Sequence, residues 1–129
     1  MSKSTRNRTA GHNFEREVIA DFVEHGWKEA VSSRSESRRL DAMKVDICYT
    51  SPFSVQCKNM ATKVDYATIL GEMPINNNIN IITHKFTKKA KKNFLEVGKY
   101  VILNYDDFFR LADIYREWEH LKSINKIQE

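Results

Sequence analysis

Hydrophobic residues recur with helical spacing near the start of the chain. Asn13 is a suitable cap for a helix that Gly26 would end. The hydrophobic residues between them that follow this spacing are Phe14, Val18, Ile19, Phe22 and Val23. The preceding residues, 1–12, are polar and basic, and we expect them to form a flexible arm.

Short segments of alternating apolar and polar residues follow this helix. Residues 44–59, KVDICYTSPFSVQCKN, predict two strands joined by a turn at Ser-Pro. Residues 28–33 are a further candidate strand, separated from the hairpin by a polar loop over 34–43. Three consecutive strands are therefore expected after the first helix.

The second half of the chain returns to a mixture of helices and strands. The predicted elements are a helix over 64–73, a strand over 79–83, a helix from Thr87 to Gly98, a strand over 100–104 and a long helix from Asp106 onward. The resulting order, α-β-β-β-α-β-α-β-α, predicts a mixed central sheet flanked by helices, of the α/β (α+β) class. Residues 13–129 are expected to form a single domain.

The predicted hairpin carries a cluster of polar residues on one face. Because strand side chains alternate between faces, Gln56 and Lys58 share a face, and a turn centred near Ser51 places Asp46 across from Gln56. Oxygen ligands of this kind suit Mg²⁺, and a neighbouring lysine can orient or deprotonate a water. An ordinary solvated polar face is the alternative interpretation.

Glu15 interrupts the apolar face of the first helix. At about 100° per residue it lies near the centre of the hydrophobic arc, whereas Glu17 lies on the opposite side. A carboxylate that faces a core is unfavourable unless a cation pairs with it or a metal uses it. The alternative is that Glu15 points to the helix N-terminus and interacts with the dipole there.

The charge distribution favours a polyanionic partner. The net charge is only +4, but basic residues concentrate before the first helix, in residues 34–44 and in residues 85–92. Cys48 and Cys57 show no metal-binding spacing and are expected to be reduced thiols. We found no apolar run of membrane-spanning length and no signal peptide, so an intracellular, cytoplasmic location is expected, in the host cell if the protein is viral.

The order of Glu15 on a helix, Asp46 on a strand and Gln56-Cys57-Lys58 on the next strand resembles the PD-(D/E)XK nuclease superfamily. The segment GHNFEREV, residues 11–18, is similar to the first helix of archaeal-type Holliday junction resolvases. The segment SSRS, residues 32–35, is similar to the strand and arginine that follow in that group. Residues 79–115 resemble the Mrr-type restriction endonucleases, in which a Phe-Thr-Lys-x-Ala motif begins a helix.

The resemblance implies a restriction-endonuclease-like fold and a DNA endonuclease that uses Mg²⁺, with Mn²⁺ as a substitute. Asp46, Gln56 and the Cys57 carbonyl would bind the metal, Glu15 would hold a metal or its water, and Lys58 would assist the nucleophile. The residues expected to contact DNA are Arg6, Arg8, Arg16, Arg34, Arg38, Arg39, Lys85, Lys88 and Lys89.

Two positions depart from the superfamily pattern. Val45 replaces the usual proline before the aspartate, and Gln56 replaces the usual acidic residue. An amide oxygen can bind a metal but adds no negative charge, so a lower metal affinity is expected; Mrr-type enzymes also resemble this chain in using Gln-x-Lys. A DNA-binding module with the same fold but without catalysis is therefore a second hypothesis.

The expected substrate is branched DNA. Few residues remain outside the predicted nuclease domain, so no separate recognition domain is expected. A two-fold homodimer can select DNA by shape, because each site then reaches one of two symmetric strands. A homodimeric four-way-junction resolvase is the favoured hypothesis, and a general or Mrr-like restriction endonuclease is the alternative. The aromatic C-terminal helix is a candidate dimer surface.

Overall fold

A computed structural model describes residues 3–61 and 63–128, with side chains described for residues 8–61 and 63–125. These parts of the chain form five helices and five strands. In chain order the elements are α1 (Lys3–Glu24), β1 (Val31–Ser32), α2 (Ser33–Glu36), α3 (Arg38–Ala42), β2 (Ile47–Cys48), β3 (Phe53–Met60), α4 (Tyr66–Glu72), β4 (Ile79–Ala90), β5 (Asn93–Leu103) and α5 (Tyr105–Gln128).

The five strands form one sheet in the order β1-β2-β3-β4-β5. β3 and β4 run parallel over eight residue pairs, from Phe53 opposite Ile79 to Met60 opposite Phe86, whereas the other neighbours are antiparallel. A parallel pair requires a crossover between its strands, and α4 lies in that connection. The predicted mixed sheet and the α/β (α+β) class are confirmed.

Helix α1 covers one face of the sheet. Phe14 and Val18 are buried in the central cluster, together with residues of β2, β3 and β4 that share this face: Ile47, Val55, Ile79 and Ile81. Burying side chains of this size contributes about 1.5–3 kcal/mol each. The indole of Trp27, just after the helix, donates to the Ser51 carbonyl at 2.7 Å. α1 therefore runs from the end of β3 back toward its start, since Asn59 Nδ2 donates to the Ala10 carbonyl at the other end.

α1 begins ten residues earlier than the predicted cap. The helix already includes Lys3, and the predicted arm over 1–12 is helical from that residue on. Asn13 lies inside the helix, where its side-chain oxygen accepts from Arg16 at 3.2 Å. No proline precedes it, so nothing in the sequence stops the helix from extending. Gly26 adopts a φ of 112° after the last turn, as expected of a terminating glycine.

The predicted helix from Thr87 to Gly98 is wrong. β4 continues to Ala90, the chain turns at Lys91 and Lys92, and β5 returns as its antiparallel partner. Lys91 has a φ of 55°, the left-handed conformation that two-residue hairpin turns require. The Phe-Thr-Lys-x-Ala motif thus lies in a strand, unlike the helix that the resemblance to Mrr-type enzymes implied.

Other boundaries also differ from the prediction. Within residues 28–33 only Val31–Ser32 is a strand. The predicted polar loop over 34–43 contains α2 and α3, whose first turns are capped by the hydroxyls of Ser32 and Ser37. The helices predicted over 64–73 and from Asp106 are present as α4 and α5.

α4 and α5 differ in how they meet the sheet. Tyr66 of α4 is hydrogen-bonded to the buried His84 of β4 at 2.9 Å, on the face opposite α1. α5 contacts the α1 face through the half-buried Leu111, while most of its other large apolar side chains remain exposed. Across the described residues, no helix has both the length and the apolar character needed to span a membrane.

Candidate metal and DNA site

Asp46 lies directly before β2, at the point where β2 and β3 separate. The pairing of Ile47 with Val55 places Asp46 opposite Gln56, which is the arrangement that the sequence predicted. The Asp46 amide donates to the Val55 carbonyl at 2.7 Å. Its side-chain Oδ2 accepts from the Cys57 amide at 2.8 Å. Two hydrogen bonds, one to each neighbour of Gln56 in β3, therefore fix the position of Asp46.

The environment of Asp46 disfavours its negative charge. Burial raises the pKa of Asp46 to about 6, although the hydrogen bond from Cys57 acts in the opposite direction. The charges of Glu15 and Asp41 raise this pKa further, and the charge of Lys58 lowers it. The carboxylate thus lies within electrostatic range of two other acids and one lysine, and a further cation would favour its ionised form.

Gln56, which lies opposite Asp46 in the strand register, carries a second side-chain oxygen. Gln56 is buried, and its Oε1 has no hydrogen-bond partner. An unpartnered buried oxygen costs about 1–3 kcal/mol unless a donor or a cation approaches it. Two other buried side-chain oxygens share this property within the described residues, those of Ser33 and Asn80. Ser33 also neighbours the site, because its amide donates to the Asp46 carbonyl at 2.8 Å.

Lys58 and Gln56 share a face of β3, since they are two residues apart in a regular strand. This face is opposite the one that carries Val55 and Cys57 toward α1. Lys58 is half-buried and pairs in register with His84 of β4. His84 is held by Tyr66 on one ring nitrogen and by the Met60 carbonyl, at 3.2 Å, on the other. The strand around Lys58 is thereby supported on its α4 side.

Glu15 is buried on the α1 side of the sheet, as its helical phase predicted. Its Oε1 accepts from the Ser32 hydroxyl at 2.9 Å and from Arg34 Nη2 at 3.1 Å. Arg34 also contacts His12 through Nη1. A cation therefore already pairs with Glu15, which explains how the carboxylate is tolerated in the core. The dipole interaction considered for a helix that begins at Asn13 does not apply, because Glu15 is in the middle of α1.

The residues expected to contact DNA fall into three groups. Arg8, Arg16, Arg38, Arg39, Lys88 and Lys89 are exposed. Arg34 and Lys85 are engaged in ion pairs, Arg34 with Glu15 and Lys85 with Glu17 and Glu96, at 3.1, 3.2 and 3.7 Å. The side chain of Arg6 lies outside the part of the chain whose side chains the structure describes. Seven of the nine predicted residues are thus exposed, including Arg34, which is paired with Glu15.

Sequence reasoning missed several residues around the site. Ser32 and His12 were not recognised as partners of the Glu15–Arg34 pair, and Ser33 and Asp41 were not connected with Asp46. Ser33 and Arg34 lie on α2 and Asp41 lies on α3, two helices that the sequence did not predict. The two N-cap serines, Ser32 and Ser37, which lie five positions apart, are the signal for two capped helical turns.

Both cysteines are free thiols, as predicted. Burial raises the pKa of the Cys57 thiol to about 12, so the thiol is protonated and only its backbone carbonyl could act as a hard oxygen ligand. Within residues 3–61 and 63–128, no group of three or more His, Cys, Asp or Glu side chains is arranged to hold a metal ion. The groups that could bind a cation at Asp46 are instead its carboxylate, the Gln56 amide oxygen and the Cys57 backbone oxygen.

Comparisons of this chain with protein-family models, with curated proteins and with solved structures gave no match.

Proposed function

We propose that this chain is a divalent-metal-dependent DNA endonuclease whose site is formed by Asp46, Gln56 and Lys58. One observation supports this most strongly. A buried carboxylate with a raised pKa is fixed opposite a buried amide oxygen that has no partner. A hard cation between these oxygens would remove both unfavourable features at once.

The oxygen donors present suit Mg²⁺ better than a softer metal. Asp46, Gln56 and the Cys57 carbonyl are the residues that would hold it, in the roles that the resemblance to PD-(D/E)XK nucleases implies. Mg²⁺ bound there would polarise a phosphate oxygen and lower the pKa of a water near the scissile bond. With one carboxylate in this set, the affinity for Mg²⁺ is expected to be modest, and Mn²⁺ is expected to substitute.

Lys58 supplies the positive charge of the proposed site. Its ammonium lies close enough to Asp46 to lower the pKa of that carboxyl. On the same face of β3 as Gln56, it can orient the attacking water and stabilise the charge that develops on the phosphate. Lys58 is therefore the residue that we propose acts on the reacting atoms.

Glu15 has a different role in this proposal from the one that the resemblance implied. Because Ser32 and Arg34 already donate to its Oε1, Glu15 acts on Asp46 through its charge and helps to position the Arg34 side chain. Arg34 is partly exposed and can approach a phosphate while it remains paired with Glu15. Glu15 is thus proposed as a positioning residue.

A homodimer is the proposed form of the enzyme. The chain exposes 9736 Å², whereas a compact monomer of this size exposes roughly 7,000 Å². The excess of roughly 2,700 Å² per chain is more than the roughly 1,000 Å² per partner found at the smaller obligate dimer interfaces. A second copy of this chain could cover much of it.

The proposed dimer surface is the exposed stripe of α5. Leu111, Ile114, Trp118 and Leu121 follow the 3-4-3 spacing of a helix that packs on another helix. Leu111 is half-buried within the chain, but the other three are more than half exposed. A stripe of one helix can pack on the same stripe of a second copy about a two-fold axis.

Branched DNA is the proposed substrate, because a two-fold dimer presents two sites to two symmetric strands. Exposed basic residues that could contact its phosphates occur on α1 and α3, namely Arg8, Arg38 and Arg39. The free thiols fit a reducing environment inside a cell, where such DNA occurs.

A panel of labelled substrates tests the proposed function. It includes a four-way junction and linear duplexes of the same sequence, methylated and unmethylated, each incubated with Mg²⁺, Mn²⁺ or EDTA. We expect metal-dependent nicking, with the junction preferred. Salt-dependent binding without cleavage under every metal condition would favour a DNA-binding module with the same fold, and equal cleavage of linear duplex would remove the junction preference.

A further inference from the structure

The hairpin formed by β4 and β5 extends beyond the rest of the sheet. β3 ends opposite Phe86, but β4 and β5 continue to pair from Thr87 opposite Glu96 to Ala90 opposite Asn93. We call residues 87–97 the ribbon. Four residue pairs at about 3.4 Å each make it roughly 14 Å long before the turn. A break in register between Phe86 and Thr87 marks its base.

The ribbon holds most of the net charge of the protein. It contains four lysines, Lys88, Lys89, Lys91 and Lys92, and one acid, Glu96, so three of the four net positive charges lie in eleven residues. All four lysines are exposed. Glu96 lies at the base, 3.7 Å from Lys85, which also bonds Glu17. The ion pairs thus fix the base of the ribbon and leave the charge at its tip uncompensated.

Apolar side chains lie beside these lysines. Phe94 is opposite Lys89, and Leu95 is opposite Lys88, so each face of the ribbon carries one lysine and one large apolar residue. Phe94 is 60% exposed and Leu95 58%. Exposed apolar residues interleaved with cations suit a partner that offers both phosphates and base surfaces, and a solvated charged face does not require them.

We propose that the ribbon enters the major groove of duplex DNA. That groove is about 12 Å wide and 8.5 Å deep and admits a two-stranded ribbon. The lysines contact phosphates on the two sides of the groove, and Phe94 contacts base edges, where a thymine methyl is its natural apolar partner. The ligand is double-stranded DNA, which the ribbon recognises by the shape of the major groove and by the charge of the phosphates.

The ribbon lies at the end of the sheet where the proposed cleavage site opens. β3 and β4 are parallel, and Lys58 is level with His84, three residues before the ribbon. The turn at Lys91 is seven residues beyond His84, or roughly 23 Å along the strand. That reach is less than one turn of DNA, about 34 Å. Only this placement beside Lys58 rests on the proposed nuclease function; groove binding itself does not.

Fluorescence anisotropy tests the electrostatic part of this inference. A labelled 24-base-pair duplex is titrated with the full chain in EDTA at several salt concentrations, so that cleavage plays no part. The double variant Lys91→Ala/Lys92→Ala is compared with Lys28→Ala/Lys63→Ala, which removes two exposed lysines from other parts of the surface. We expect the salt dependence, log K against log salt, to become shallower by about two for the ribbon variant alone. Equal slopes for the two double variants would overturn the inference.

Photocrosslinking identifies the groove. 5-Iodouracil in place of thymine carries its iodine in the major groove and couples to aromatic side chains in contact with it. We expect a crosslink on the peptide that contains Phe94, which Phe94→Ala removes. Crosslinks that map only to other aromatic residues would contradict insertion. If the chain never cleaves DNA but shows the expected slope and crosslink, the proposed nuclease activity is refuted, whereas the binding of the ribbon in the major groove is supported.

Discussion

Asp46 and Cys57 are joined by a 2.8 Å hydrogen bond from the amide of Cys57 to Oδ2 of Asp46. This bond ties the carboxylate to β3, the strand that also carries Lys58 and Gln56, whose amide oxygen has no partner. It stabilises the charged form of Asp46, yet burial outweighs it and the pKa is about 6. The site is therefore built around a carboxylate that the fold alone does not fully ionise.

Replacing Asp46 by Asn should stabilise the protein at neutral pH without metal. Because the folded-state pKa of Asp46 is raised from 3.8 to about 6, the folded chain binds this proton more tightly than the unfolded chain. Its contribution to stability is complete below about pH 4 and is lost as the pH rises to about 6. The loss is about 3 kcal/mol. Asn keeps an oxygen that can accept from Cys57 and carries no charge.

Urea unfolding in EDTA at pH 4.5 and pH 7.5 measures this effect. The advantage of Asp46→Asn over the wild type should increase between the two values, and Mg²⁺ should reduce it by stabilising only the wild type. Asp65→Asn is the control, and its effect on stability should have the opposite sign. Hydrogen bonds from Thr68 lower the pKa of Asp65, so the charged carboxylate stabilises the folded chain and its loss should destabilise it. A pH-independent difference for Asp46→Asn would show that the carboxylate is not destabilised by burial.

Glu15 and Glu17 offer a matched comparison on one helix. Glu15→Gln removes the charge that pairs with Arg34 in the core, whereas Glu17→Gln affects an exposed ion pair with Lys85. We expect Glu15→Gln to lower the cleavage rate by about tenfold or more, as for groups that support metal ligands. Glu17→Gln should be nearly silent, since surface pairs contribute little. Cleavage rates in Mg²⁺ measure the effects of both substitutions. A larger loss for Glu17→Gln than for Glu15→Gln would show that Glu15 does not contribute to the site.

Gln56→Glu should increase the affinity for Mg²⁺. A second carboxylate opposite Asp46 raises the negative charge of the site, so the variant is expected to be less stable in EDTA and to gain more from added metal. Melting temperature as a function of Mg²⁺ concentration measures both effects. Asn80→Asp is the control, because it changes another amide side chain whose oxygen is buried and unpartnered. An equal response to Mg²⁺ in Gln56→Glu and Asn80→Asp would place the metal elsewhere.

Trp118→Glu should convert a dimer into a monomer. A charge in the centre of the α5 stripe would be buried without a partner in the proposed interface, which costs several kcal/mol. Light scattering after size exclusion gives the mass in solution. Ile75→Glu replaces a fully exposed apolar residue of the segment before β4, outside the α5 stripe, and should leave the dimer intact. A wild-type monomer, or a dimer that persists in Trp118→Glu, would exclude the α5 stripe as the interface.

The sequence predicted the positions of Asp46 and Glu15 better than it predicted the helices and strands around them. The position of Asp46 opposite Gln56 follows from strand alternation and the turn near Ser51, both of which are local. The burial of Glu15 follows from helical phase, which is also local. Its pairing with Arg34 could not be predicted, because Arg34 lies on α2. The serines that cap this short helix, Ser32 and Ser37, are also common in polar loops.

The ribbon could not be predicted, because lysines do not determine whether a segment is helix or strand. Lys88, Lys89, Lys91 and Lys92 are compatible with a basic helix that Thr87 caps. Lys88 and Lys89 pair with Leu95 and Phe94 across the hairpin, and this pairing favours the strand over the helix. The left-handed conformation of Lys91 allows the turn without glycine. These are tertiary effects that a single segment does not show.

The cleavage rate of Lys58→Ala tests the central claim most directly. Single-turnover nicking of a labelled four-way junction in Mg²⁺ is compared among the wild type, Lys58→Ala and the matched control Lys63→Ala, an exposed lysine on the following loop. We expect Lys58→Ala to lose about 100-fold or more, Lys63→Ala to stay within about twofold, and EDTA to stop all three. Cleavage by Lys58→Ala at the rate of Lys63→Ala, or cleavage that continues in EDTA, would contradict a metal-dependent site built on Asp46, Gln56 and Lys58.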